Sequence, residues 1–178
     1  MIKEETTSNK KMNDNDIIDF LLEDPTRSIR EMAKELKSYR QTIWRRKKKL
    51  EDDKIIWGYT AVIDENKRNN ILYLVLMKMK PMTAGLADTI IKRMVEKEQN
   101  KRNIRLIDAF HVNGEYDWII RFSAPDHATA SSYFDALRLI FEDYLLAKPV
   151  IVDVSFILMA EGKQNPDVKS LYDFVPSI

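Results

Sequence analysis

The chain has 178 residues, of which 44% are hydrophobic and only 4 are glycine and 6 proline, so its composition fits a packed domain rather than a disordered or fibrous chain. Its 29 basic and 28 acidic residues give a net charge of +1, so overall charge points to no particular partner. The absence of cysteine excludes a disulfide framework and a cysteine-ligated zinc finger. Its apolar runs are far shorter than the ~20 residues that span a bilayer, and the first 12 residues lack the apolar centre of a signal peptide. We therefore expect a cytoplasmic protein of one or two domains, with a disordered tail over residues 1–12.

Three predicted helices fill residues 13–53. The first ends at Asp24-Pro25, because the residue before a proline avoids helical backbone. The second begins with Ser28 and Glu31, which form an S-x-x-E capping box in which each side chain bonds a backbone amide. Its apolar residues follow at i, i+3, i+4 and i+7: Ile29, Met32, Ala33 and Leu36. This spacing predicts a short helix with one apolar face.

The third predicted helix, residues 38–50, is strongly basic, with six Lys or Arg residues and no acidic one. At 100° per residue, Ile43 and Leu50 share its inward face. Lys47 also lies on the inner side, so its aliphatic stem is expected along the core edge with the ammonium in solvent. The outward face carries Gln41, Arg45 and Lys48, with Trp44 and Lys49 beside them. A basic helix directly after a short capped helix is typical of a helix-turn-helix DNA-binding domain.

The predicted DNA contacts lie on this outward face and near the starts of the second and third helices. Glutamine can pair bidentately with adenine and arginine with guanine in the major groove, and the predicted groove residues are Gln41, Arg45, Trp44 and Lys48. Phosphate contacts position a protein without reading sequence, and those predicted are Arg46, Lys49 and Arg30. At the start of the third helix, Ser38, Tyr39 and Arg40 are expected to reach phosphates or base edges. Just before the second helix, Thr26 and Arg27 are expected to contact the DNA backbone through the N-terminus of that helix. The alternative is a solvated charged face, although such faces usually mix the two signs of charge.

Beyond the third helix the pattern changes to that of strands. Residues 55–63 are rich in β-branched and aromatic side chains, which predicts a hairpin wing or a connecting strand. Polar residues 64–70 predict a linker between residues 13–63, a winged helix-turn-helix domain, and a second domain.

The second domain, residues 71–160, alternates strands and helices. Strands are predicted at 71–79, 104–112, 118–124 and 150–159, and helices at 86–97 and from the Asp126 cap to about Tyr144. The order βαββαβ predicts a ferredoxin-like domain, with an antiparallel sheet and helices on one face, in an α+β protein. Asn113-Gly114 indicates a hairpin turn. Residues 161–178 form a C-terminal extension to which the sequence assigns no role.

Three short motifs in this order carry a resemblance to a known family, and the first is Leu50-Glu51 with Ile55-Ile56. Gly58-Tyr59-Thr60-Ala61-Val62-Ile63-Asp64 follows the helix-turn-helix, and Gly114-Glu115-Tyr116-Asp117 precedes the strand 118–124. Over roughly residues 14–160 the chain resembles the Lrp/AsnC family of transcriptional regulators. It departs from the family at Lys54 and Lys47, where many relatives have a glycine and an aliphatic residue. A long segment at 97–103 and the tail after Ala160 are further departures.

The resemblance implies a DNA-binding repressor or activator that is dimeric or octameric through its C-terminal sheet and often responds to an amino acid. It places an effector site at Gly114, Tyr116 and Asp117, with backbone amides and Asp117 holding the amino acid. The alternative is that Asp117 caps backbone amides in an ordinary turn.

Other functions are weaker predictions. The sequence shows no catalytic motif, predicts no cofactor, and gives His111 and His127 no metal-ligand spacing; His111 is expected as a hydrogen-bonded core residue. Siroheme decarboxylases look similar in their two-domain plan but would not need a basic outward-facing helix. An architectural protein that coats DNA with little sequence preference would share both domains. We therefore predict a sequence-specific transcriptional regulator.

Overall fold

The computed structural model describes residues 12–96 and 103–176, which divide into two compact units between Ala61 and Val62. The predicted tail, up to residue 11, and most of the long segment 97–103 lie outside the described residues. The division falls two residues before the end of the predicted first domain. Within the described ranges, no helix is long and apolar enough to cross a membrane.

The first unit, here called the helical unit, contains α1 (Asp14–Glu23), α2 (Ile29–Glu35) and α3 (Arg40–Asp52). A capping box stands at the start of each of the first two helices: Asn13 and Asp16 form it in α1, and the predicted Ser28 and Glu31 form it in α2. α1 ends immediately before Asp24-Pro25, as predicted. α3 begins and ends two residues later than predicted. The buried residues that hold the three helices together are Ile17, Leu21, Met32, Ala33, Ile43 and Leu50.

Lys54 makes the turn that ends α3, as its place in the sequence required. Its φ of 57° lies in the left-handed region that favours glycine. The N–H of Ile55 donates to the Leu50 carbonyl at 2.9 Å, and the N–H of Lys54 donates to the Glu51 carbonyl at 3.0 Å. These two bonds are those of a Schellman motif, which satisfies carbonyls that the helix end leaves unpaired.

The predicted hairpin wing or connecting strand is wrong for this chain: residues 55–63 form no strand. Most of the segment is exposed, and no neighbouring strand of the described chain offers it a ladder of hydrogen bonds. Its β-branched and aromatic residues reflect a preference for extended backbone, which needs a partner before it becomes a sheet. Tyr59 anchors the segment instead, since its hydroxyl donates to Glu51 at 2.8 Å.

The second unit, here called the sheet unit, has the predicted ferredoxin-like order. Its elements are β1 (Ile71–Met77), α4 (Ala84–Glu96), β2 (Arg105–His111), β3 (Trp118–Ala124), α5 (His127–Phe141) and β4 (Val150–Asp153). The strands lie antiparallel in the order β2-β3-β1-β4. Leu86 of α4 and Leu137 of α5 belong to one core with Val75 and Phe122 of the sheet, so both helices cover the same face. β4 is shorter than predicted and ends six residues before Met159.

The predicted turn over residues 113–116 joins β2 to β3. The N–H of Val112 donates to the Asp117 carbonyl at 2.9 Å, which closes this four-residue loop, and Gly114 does not adopt a positive φ. A two-residue turn with left-handed backbone occurs at Glu161 and Gly162, between two short strands.

These strands are β5 (Met159–Ala160), which ends just before the C-terminal extension, and β6 (Lys163–Gln164), which lies within it; a 3-10 helix at Val168–Phe174 follows. Lys67 pairs with Asp167 at 2.6 Å, and Arg121 of the sheet pairs with Glu161 at 2.8 Å. The extension therefore packs on the sheet unit.

Candidate nucleic-acid interface

α3 presents the two faces predicted from its sequence. Ile43 and Leu50 are fully buried against α1 and α2. The opposite side is exposed and carries Gln41, Trp44, Arg45, Lys48 and Lys49. Trp44 is 56% exposed although indole is largely apolar, so its face is available for contact with a partner.

The start of α3 lacks the side-chain cap that α1 and α2 both have. Tyr39 stands at the cap position, bonds no backbone amide with its side chain, and is 85% exposed. Its neighbour Arg40 is exposed too, and Ser38 is half-buried in the turn. The first amides of α3 therefore remain available to an external acceptor such as a phosphate oxygen.

Charge in the helical unit is unevenly neutralised. Of the eleven Lys and Arg residues between positions 12 and 56, four form ion pairs: Arg27, Arg46, Lys47 and Lys48. The other seven have no acidic partner among the described residues: Arg30, Lys34, Lys37, Arg40, Arg45, Lys49 and Lys54. Unpaired cations on one small unit give it a positive field that the net charge of the chain hides.

Three residues predicted to contact the DNA backbone bond acidic side chains of the helical unit instead. Arg46 donates to Asp14 at 2.7 Å, which ties α3 to α1. Arg27 pairs with Glu23 at 3.1 Å and Glu35 at 3.4 Å, and Thr26 bonds Asp24. Sequence spacing could not show the pair of Arg46 with Asp14, because the two residues lie 32 positions apart on different helices. A phosphate would have to compete with these carboxylates.

Lys47, on the inner side of α3, contacts Glu51 and Tyr59, which lie close to it in the sequence. Its ammonium lies 3.8 Å from Glu51 and 4.9 Å from the centre of the Tyr59 ring. Burial, together with the hydrogen bond to Glu51, raises the pKa of Tyr59 to about 12. The sequence predicted the half-buried lysine but gave no sign of this three-residue cluster.

In the predicted effector loop, Asp117 and Gly114 contact the neighbouring residues Lys78 and Met79 of the same chain. Asp117 accepts the Met79 N–H at 2.8 Å, and the Lys78 ammonium lies 3.2 Å from the same carboxylate and 3.3 Å from the Gly114 carbonyl. The Met79 amide and then Lys78 hold the pKa of Asp117 below its usual value. Tyr116 is half-buried beside this loop. The alternative interpretation, an aspartate that caps a backbone amide, describes this geometry.

A small cavity of about 190 Å³ lies against Asp117. Lys78, His111 and Trp118 also line it, and the buried Trp118 Nε1 has no hydrogen-bond partner in the described chain. The expectation that His111 is a core residue is wrong: it is exposed, with its ring 5.9 Å from that of Trp118. The sequence analysis missed Lys78 as a partner of Asp117, because the two residues lie 39 positions apart in the chain. Within the described ranges, no cluster of three or more His, Cys, Asp or Glu side chains could hold a metal.

Comparison with known proteins agrees with this arrangement. The AsnC-type helix-turn-helix domain matches residues 14–51, which span α1 to α3. An uncharacterised HTH-type transcriptional regulator of Pyrococcus abyssi is 35% identical over 107 residues, covering 60% of this chain and 67% of the relative. An HTH-type transcriptional regulator of Pyrococcus furiosus is 25% identical over 123 residues, covering 68% and 76%.

Solved structures share the fold over both units. An AsnC family transcriptional regulator from Agrobacterium tumefaciens superposes with a TM-score of 0.61 at 19% identity, covering 88% of this chain and 98% of that one. A transcriptional regulator of Neisseria meningitidis in complex with L-Met gives 0.60 at 18% identity, covering 86% and 94%. With its matched helix-turn-helix and its similarity to the Pyrococcus abyssi regulator, the chain belongs to the Lrp/AsnC family of DNA-binding transcriptional regulators.

Proposed function

We propose that the chain reads a specific DNA sequence by placing α3 in the major groove, and that it does so as a homodimer. The observation that carries the proposal is the outward face of α3, where Gln41 and Arg45 are exposed and the arginine has no acidic partner in the described chain. Both side chains can form two hydrogen bonds with one base edge. A surface with no such role would gain by pairing its cations with acids, as Arg27 and Arg46 do.

The remaining residues predicted to contact DNA differ in whether they already have a partner in the described chain. Arg30, Arg40 and Lys49 are exposed and unpaired in the described chain, which suits phosphate contacts. Ser38 and Tyr39 stand at the uncapped start of α3, where a phosphate oxygen would also meet backbone amides. Arg46, Arg27 and Thr26 are weaker proposals, since each already has a partner.

The homodimer is proposed to form through the sheet face that α4 and α5 leave uncovered. Phe110 stands opposite Ile119, and Val152 stands opposite Leu74, on that face. Directly opposite residues of antiparallel strands share a face, so these side chains form one apolar surface. Phe110 is 50% exposed and Val152 39%. Two copies related by a twofold axis would cover this surface and carry two α3 helices to half-sites about 10 bp or a multiple apart.

We further propose that an amino-acid effector binds the loop at Gly114, Tyr116 and Asp117. An amino-acid ammonium would have to displace the Lys78 ammonium from Asp117. The Neisseria meningitidis neighbour, solved with L-Met, supports an amino acid as the class to test. Such a ligand would regulate DNA binding only if it favoured one oligomer geometry over another.

The first test is selection of DNA sequences by the purified protein from a random pool, followed by binding to the selected duplex over a salt series with random DNA as competitor. A recurrent pseudo-palindrome retained at moderate salt is the expected result. Binding that the competitor removes entirely would favour an architectural protein. No binding at all would overturn the proposal and would direct attention to tetrapyrrole binding, the alternative of a siroheme-decarboxylase-like enzyme.

The proposal gives Arg45 a specific role. Arg45→Ala should weaken binding to the selected duplex by roughly 1–3 kcal/mol and relax the preference at one base pair, because one bidentate contact to guanine is lost. Lys34→Ala is the matched control: it removes an exposed, unpaired cation from α2 and should leave base preference unchanged. An equal loss of affinity on all sequences for Arg45→Ala would make it a phosphate contact instead.

A further inference from the structure

The turn before α3 and the turn after it are built alike. Lys37 has a φ of 46° and Lys54 a φ of 57°. At Lys37 the N–H of Ser38 donates to the Ala33 carbonyl at 2.9 Å, and the N–H of Lys37 approaches the Lys34 carbonyl at 3.4 Å. This is the same pair of bonds that Lys54 and Ile55 make at the other turn. Each turn thus places a lysine at the one position of the motif that requires left-handed backbone.

Lysine is a costly choice at such a position. Left-handed backbone brings the Cβ of an L-residue too close to the following carbonyl, and glycine avoids this clash. Asparagine tolerates the conformation better as well, because its short side chain can bond locally. A lysine in each turn therefore costs stability that glycine would retain.

Among the described residues, no contact of the Lys37 or Lys54 side chain offsets this cost in stability. Both lysine side chains are exposed, so neither covers apolar surface, and neither has an acidic partner among the described residues. Lys47 and Lys48 on α3 differ in this respect, since each pairs with an acid one turn away. Residues held in unfavourable backbone without a structural gain are candidates for a functional role.

We propose that Lys37 and Lys54 are phosphate contacts that clamp the two ends of α3 against the DNA strands bordering the major groove. The inference rests on the proposed entry of α3 into that groove. α3 has 13 residues and is therefore about 20 Å long, whereas the groove is about 12 Å wide. The ends of a helix longer than the groove is wide extend toward the flanking backbones, and a lysine stem adds reach at each end.

The test compares glycine and arginine at the two positions in the full-length chain. Lys37→Gly and Lys54→Gly remove the charge and relieve the backbone, so each should raise the urea midpoint of unfolding. Each should nevertheless weaken binding to a random-sequence duplex, by on the order of 5–10-fold near ~0.1 M salt, and should lower the log–log salt slope by about 0.9. Lys37→Arg and Lys54→Arg keep the charge and the strained backbone, so they should bind as the parent does.

Opposite signs for stability and affinity would establish the clamp, since a merely damaged fold would lose both. Glycine variants that bind with the parental affinity and salt slope would overturn the clamp and leave the proposed DNA reading by α3 intact. Glycine variants that are less stable than the parent would overturn the premise that lysine is costly there. A parent chain that binds neither random nor selected DNA would overturn the proposed function together with the clamp.

Discussion

The two units place charge and apolar surface in opposite ways. The helical unit keeps an apolar interior and exposes seven basic side chains that have no acidic partner in the described chain. The sheet unit exposes an apolar face that includes Phe110 and Val152, and it buries a carboxylate, Glu65, to 2% exposure. Unpaired cations suit a polyanion, whereas an open apolar face suits another protein surface.

The two surfaces also differ in the charged side chains that they carry. On the helical unit, each added acid would neutralise a potential phosphate contact, and acids are absent from positions 38–50. On the open sheet face, Arg121 pairs with Asp108 at 2.5 Å and with Glu161 of the extension at 2.8 Å. Paired charges can be covered by a partner at lower cost than single ones.

The largest expected effect comes from a charge placed on the open sheet face. Phe110→Glu would bury an unpaired carboxylate twice in a twofold dimer, which should weaken association by on the order of 10³-fold. Sedimentation at a series of concentrations measures this shift from dimer to monomer.

Leu139→Glu is the matched control for that change. Leu139 is 73% exposed on α5, which covers the opposite side of the sheet. This variant should associate as the parent does. A Phe110→Glu chain that remains dimeric would place the dimer contact elsewhere.

The next effect concerns the buried carboxylate of the sheet unit. Glu65 contacts Arg105 and accepts the Asn70 side-chain amide at 3.0 Å. Burial alone would raise the pKa of Glu65, but the hydrogen bonds from Asn70 and Arg105 outweigh it and lower the pKa. Glu65→Gln should therefore cost about 1–3 kcal/mol of unfolding free energy at pH 7, because charged hydrogen bonds are lost.

The sign of the pH dependence follows from the lowered pKa. The stabilisation by Glu65 is fully present above its unfolded pKa, about 4.3, and is lost as the pH falls through its folded value. The stability difference between the parent and Glu65→Gln, measured by urea unfolding, should thus shrink below about pH 4.3. Glu31→Gln, which replaces a carboxylate at an exposed helix cap, is the comparison variant. A stability difference between the parent and Glu65→Gln that does not change with pH would contradict the lowered pKa of Glu65.

Sequence reasoning was accurate where local signals decide structure. The Ser28 cap, the proline stop after α1 and the extent of β3 were confirmed, because each depends on neighbouring residues. Lys54 in left-handed backbone was also predictable, from the place where a glycine was expected.

The errors arose where distant parts of the chain decide structure. The predicted wing or connecting strand at residues 55–63 did not form because these residues have no neighbouring strand in the described chain. Lys78 beside Asp117 and Asp14 beside Arg46 could not be found, since each pair joins residues more than 30 positions apart. Sequence therefore predicted which face of α3 is outward, but not which cations on it are free.

The smallest expected effect tests whether Lys48 contacts DNA once it is released from its ion pair. Its ammonium lies 3.4 Å from Asp52, and both side chains are more than half exposed, so the pair contributes about 0.3–0.5 kcal/mol. Asp52→Asn should cost no more stability than this and should tighten DNA binding, because it releases Lys48 and removes a negative charge. Asp53→Asn removes the same charge one residue later without releasing a lysine, so the difference between the two variants isolates Lys48. A larger gain in affinity and a steeper salt slope for Asp52→Asn would make Lys48 a DNA contact; equal gains would show that only net charge matters at this end of α3.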